Sequence, residues 1–153
     1  MSDTSARARP PEAASVATAA SRIELVEASG PVSPRHSYAT TIAVTCDATP
    51  GLAARAVRDH RDATGEHHDE RALDRATYAA LLGELLAVLP LGAPIDLAAS
   101  KRDRKGISFN HVVVVVGDAA TRLDYLLSDL DEDDGDPRAR TAVALVKGAA
   151  SGD

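Results

Sequence analysis

The chain has 153 residues, room for one domain of ordinary size, and 68 of them are apolar, of which 30 are alanine. About 38 large apolar side chains remain, with no tryptophan and a single phenylalanine, which suits a core of roughly 110–130 folded residues. A net charge of −6 disfavours a general nucleic-acid binder, no apolar run approaches the ~18 residues of a membrane span, and the lone Cys46 excludes an internal disulfide or a cysteine zinc cluster.

Residues 1–20 are rich in Ala, Ser, Thr and Pro, with no apolar cluster to bury and no apolar run of the kind an export signal needs. They are expected to be a disordered tail, and the protein cytoplasmic. Ile23 and Leu25 mark a first strand, followed by a turn with Gly30, Pro31 and Pro34. From Tyr38 to Cys46 the side chains alternate, with Tyr38, Thr40, Ile42, Val44 and Cys46 on one face, which predicts a second strand hairpin-paired with the first.

The segment at about 48–72 reads as a mobile polar insertion, with one frayed helix opened by Thr49-Pro50 and running through His60. Asp74 is a good N-cap for a helix running to Leu89 and stopped by Pro90. Its stripe is Tyr78, Leu81, Leu82, Leu85, Leu86 and Leu89. A connector with a basic tip, Lys101 to Lys105, leads to a strand over Ile107–Val116. The five consecutive valines of that strand imply a central position with both faces covered. Leu123, Tyr125 and Leu127 predict a fourth strand. Asp136-Pro137 opens a closing helix that buries Ala139, Ala142, Val143 and Val146 and ends at Gly148.

The order ββ(insert)αββα predicts an α+β fold, an antiparallel four-stranded sheet with two helices packed on one face, in a single domain over residues 21–150.

Chemistry-bearing patterns are sparse. His60, His67 and His68 with Asp69 and Glu70 supply metal donors, but adjacent histidines diverge in regular structure and no HExxH spacing occurs. They read as a solvated loop, and His111 reads as a packed strand residue. Asp129 to Asp136 holds six carboxylates in eight residues, and without it the chain would be neutral. Its spacing fails the EF-hand pattern, since Asp134 and Arg140 stand where Gly and Glu are required. It reads as a solvated turn whose last acid caps a helix, with a cation- or partner-responsive binding module as the alternative. The basic run Lys101–Lys105 lacks interleaved aromatics, so no nucleic-acid partner is expected. No nucleophile motif or phosphate-binding glycine loop is present. Neither catalysis, a metal, a cofactor nor a membrane is expected.

Three strings and the element order resemble the emfourin family, bacterial inhibitors of thermolysin-like metalloproteases such as protealysin. The strings are Ile23-Glu-Leu-Val-Glu-Ala-Ser-Gly30, Leu81 to Pro90, and Asp103-Arg-Lys-Gly-Ile-Ser-Phe109, within a similarity covering about residues 22–148. Pro31 stands where the family has a second glycine, Asn110-His111 where an aromatic is usual, and Ala48 to Arg71 is additional. The resemblance implies a non-catalytic domain that binds a protein partner as a stoichiometric metalloprotease inhibitor. The contacting loop would be Ser29, Gly30, Pro31, Val32, Ser33 and Pro34, where two prolines limit freedom and Val32 is an apolar anchor.

Overall fold

A computed structural model of the chain describes residues 21–28, 37–46, 54–99 and 110–151. In chain order the elements are strands β1 (Ser21–Ala28), β2 (Ala39–Cys46), β3 (Ala54–Asp62) and β4 (Gly65–Leu73), helix α1 (Arg75–Val88), and strands β5 (Ile95–Asp96), β6 (Asn110–Val116) and β7 (Ala119–Tyr125). A 3-10 turn (Leu127–Leu130) and helix α2 (Pro137–Ser151) complete them. The strands form one sheet in the order β4-β3-β2-β1-β6-β7-β5, antiparallel throughout except for the β5–β7 pair. The tail at 1–20, the loop Ser29–Pro34 and the basic tip Lys101–Lys105 lie outside the described residues.

The α+β class stands, but the expected four-stranded antiparallel sheet is replaced by a seven-stranded mixed one. The main reason is the segment read as an insertion, which folds as the β3–β4 hairpin with no helix at Ala54–His60. Only its near end is apolar, with Ala54, Ala56 and Leu73 in the core. Beyond that, pairing rests on opposite charges in register, Arg58 facing Asp69, Asp59 facing His68 and Arg61 facing Glu66. Asp62 fixes the turn by accepting the Thr64 amide at 2.8 Å, and Gly65 takes a φ of +131° that a side chain would resist. Hydropathy cannot register strands held in this way. A seventh strand comes from the connector, where Ile95–Asp96 lies parallel to β7.

One face of the sheet is apolar, and both helices contribute to the core on that side. Ile23, Leu25, Ile42, Val44, Val112, Val114 and Leu123 are buried there, together with Tyr78, Leu82 and Leu85 of α1, Leu89 at its C-cap, and Ala139, Ala142, Val143 and Val146 of α2. Each large side chain so buried contributes about 1.5–3 kcal/mol. Asp74 caps α1, its carboxylate accepting the Thr77 amide at 2.7 Å, and the Tyr78 hydroxyl bonds Ser21 at 2.6 Å.

Three further expectations need correction. β6 is flanked by β1 and β7, but among the described residues its second face is only partly covered: His111, Val113 and Val115 are half-buried. The valine run therefore reflects β propensity as much as burial. β7 ends at Tyr125, because Asp129 accepts the Leu126 amide at 2.7 Å and winds the chain into the 3-10 turn, leaving Leu127 37% exposed. Helix α2 continues through Gly148 to Ser151, where Ala150 is buried and the Arg71 guanidinium donates to the Ala149 carbonyl at 3.1 Å.

Candidate functional site

Along the helix-covered face the strands change character from one end to the other. The facing residues run from the pairs Ser21–Cys46 and Ala54–Leu73 at one end, through the rows Ile23–Val44–Ala56–Arg71 and Leu25–Ile42–Arg58–Asp69, to Glu27–Thr40–His60–His67 at the other. Helix α2 lies across β1 to β4, and its final turn stops over the polar end. The result is a cleft of about 840 Å³ between that turn and strands β2–β4, with Glu27, Tyr38, Thr40, His60, Arg58 and Lys147 in its walls.

Glu27 is 5% exposed in the apolar phase of β1, where an isolated carboxylate would be costly. It is held on both oxygens: the Tyr125 hydroxyl donates to Oε2 and Lys147 Nζ to Oε1, each at 2.9 Å. Burial raises the Tyr125 pKa strongly, and the neighbouring Glu27 charge adds to it. Tyr38 is shifted up for the same two reasons, burial first. Both phenols therefore stay protonated at neutral pH.

Thr40 Oγ1 is hydrogen-bonded to His60 Nδ1 at 2.7 Å, and His60 Nε2 to Asp62 Oδ2 at 3.1 Å. Tyr38 stacks near the imidazole, with centroids 6.3 Å apart and planes 26° off parallel. Asp62 has its pKa pulled down to about 2, chiefly by its hydrogen bonds from Thr64, with His60 adding to the effect. A hydroxyl, an imidazole and a carboxylate in series have the connectivity of an activated nucleophile. The surroundings are wrong for that role. Thr40 is 6% exposed within a strand paired on both sides, so the amides around it are engaged in the ladders instead of forming an oxyanion site. In this arrangement the series ties β2 to β3 and stiffens the cleft wall.

The basic wall groups come from three elements, Arg58 on β3, Arg71 on β4 and Lys147 on α2, with Asp69 and Glu70 of β4 beside them. Arg58 stands 3.7 Å from Asp69, outside hydrogen-bond distance, while Arg71 closes the end of α2. Glu70 also borders the cleft, but it is paired with Arg55 and His68.

The histidines read from sequence as a solvated loop belong to the β3–β4 hairpin. His60 lines the cleft, and His68 bridges Asp59 and Glu70. Among the described residues no three His, Cys, Asp or Glu side chains are grouped as a metal would require. The acidic stretch Asp129–Asp136 is closed on itself: the Gly135 and Asp136 amides donate to the Asp131 and Asp129 carbonyls, and Arg140 donates to the Asp131 and Glu132 carbonyls. Asp136 accepts the Arg138 amide at 2.8 Å, and the Arg138 guanidinium holds its carboxyl below the usual range. His111 is half-buried on the open face, where burial lowers its pKa, and Cys46 is buried in the core. No described helix is long and apolar enough to cross a membrane.

Ala28 and Ala39, on the β1 and β2 ends that flank Ser29–Pro34 in the sequence, face each other directly beside the Glu27–Thr40 pair at the cleft end of the sheet. Sequence reading overlooked Glu27, Tyr38, Arg58, Arg71 and Lys147. Only Glu27 carried a local signal, an acid on the same strand phase as Ser21, Ile23 and Leu25. Lys147 is 120 positions from its partner, beyond any local pattern. The chain matches no protein-family model, no curated protein and no solved structure.

Proposed function

We propose that this chain is a non-catalytic protein-binding domain that receives a segment of its partner in the cleft at the polar end of the sheet. The carrying observation is the cleft itself, whose walls are tied together by side-chain bonds between β1, β2, β3, β7 and α2. Walls fixed before binding lose little conformational freedom when a ligand arrives, which favours recognition of a segment over general surface adhesion. Tyr and Arg side chains, the types that most often dominate binding energy, stand at its edge.

The emfourin resemblance makes the partner a thermolysin-like bacterial metalloprotease, with Ser29–Pro34 entering the protease cleft. The position of Ala28 beside Glu27 supports a contact region that combines that loop with the cleft. Two measurements test the proposal. Titrating the full chain into a thermolysin-like protease should give stoichiometric inhibition that Val32→Asp abolishes, and a flat titration overturns the protease assignment. Selecting a displayed random-peptide library on the full chain should enrich peptides whose binding protects the amides of residues 58–71 and 147–151 from exchange. If no peptide is enriched, or if protection falls elsewhere, the binding reading itself fails.

A further inference from the structure

The hydrogen-bonding capacity of the cleft is unevenly used. Two of its three carboxylates are occupied: Glu27 takes Tyr125 and Lys147 on its two oxygens, and Glu70 is paired with Arg55 and His68, while Asp69 stands largely in solvent. Its strongest donors are not. Lys147 gives one N–H to Glu27 and Arg71 one to Ala149, while Arg58 has no described acceptor within hydrogen-bond distance. Asp69, the nearest carboxylate to Arg58, has a side chain 66% exposed, so water screens the pair. The formal charges of the walls nearly cancel, yet what remains for a ligand is donor capacity on three cationic side chains from three elements. Two of these are guanidinium forks, whose planar geometry matches a carboxylate.

Resting on the binding reading above, we infer that the partner segment is acidic, a stretch of peptide that sets Asp or Glu carboxylates against Arg58, Arg71 and Lys147. Of the chain's own acids there, Glu27 and Glu70 are already paired and Asp69 is largely solvent-exposed, and the acidic stretch at 129–136 is drawn in by Arg140 and the backbone.

The peptides recovered from the random library supply the test. They should be enriched in Asp and Glu, and replacing their Glu by Gln should weaken binding about tenfold or more. Raising salt from about 50 to about 300 mM should weaken the acidic peptides and leave the Gln versions nearly unchanged. Arg58→Gln should lower affinity for the acidic peptide about fivefold or more, while Arg55→Gln, on the opposite face of the same strand, should not. Arg58→Gln removes one of the three facing charge pairs of the hairpin, a solvent-screened one at 3.7 Å, so the fold should stay in place, which circular dichroism checks. Enriched peptides that bind at the cleft without acidic residues, or equal affinity for Glu and Gln versions, overturn this inference and leave the binding reading standing. Displacement of the peptide by inorganic phosphate at equal concentration would reduce the site to a simple oxyanion site and overturn the peptide assignment.

Discussion

At the scale of single residues, the informative positions are those where one side chain, or its absence, is dictated by the atoms around it. Gly135 is such a position. A Cβ there would stand 2.3 Å from the Asp129 and Asp131 carbonyl oxygens, both backbone atoms that cannot rotate away. Gly135→Ala should therefore re-form the 129–136 loop and destabilise the protein by about 2–3 kcal/mol, read as a lowered urea midpoint with an unchanged slope. A midpoint within error of the parent chain would show that the loop tolerates a side chain. In the sequence the stretch stands out for its six carboxylates, a composition that suits a cation. Its structure rests instead on one glycine, the Asp129 and Asp136 side chains and the Arg140 guanidinium. Asp74, by contrast, was legible, because an N-cap is a local bond between residues three apart. Glu27 was legible only as an anomaly of phase, since the groups that explain it, Tyr125 and Lys147, lie about a hundred residues away along the chain.

At the scale of elements, sequence reveals whatever burial makes periodic. The apolar alternation of β1 and β2 and the leucine stripe of α1 appear in the structure as buried faces. The β3–β4 hairpin was invisible to that test, because its pairing is electrostatic and its distal residues stay exposed. Folding the sequence about Ala63-Thr64 and asking whether charges oppose would have exposed it. The Asp62 carboxylate that fixes this turn has a folded pKa of about 2 against an ordinary 3.8. A lowered carboxylate pKa stabilises the folded form above the ordinary value and loses that contribution as pH falls through the folded one. Between about pH 4 and pH 2 the turn should therefore loosen, and the Thr64 amide resonance should titrate with a midpoint near 2. In Asp62→Asn that titration should vanish. A Thr64 midpoint near 4 in the parent chain would mean that the Thr64 bonds do not hold the carboxylate ionised.

At the scale of the whole molecule, the sheet is stabilised unequally from one side to the other. Strands β1, β2 and β6 carry fully buried Ile, Leu and Val on the helix-covered face, while β3 and β4 enter the core only at Ala54, Ala56 and Leu73. Counting strands by apolar periodicity therefore found the thermodynamic centre and missed the margin, and that margin forms most of the cleft. Local opening follows buried contacts, so the two halves should separate in native-state hydrogen exchange. Amides of β1, β2 and β6 should exchange only through global unfolding. Those of residues 58–69 should exchange faster by about a factor of 10² or more, with little dependence on denaturant. Uniform protection across all strands would refute this division. A partner segment seated against Arg58 and Arg71 would bridge the weak strands to α2, where Arg71 already holds the Ala149 carbonyl. Binding should then raise protection at 58–69 toward that of the central strands and leave the central strands unchanged, because they are already limited by global unfolding.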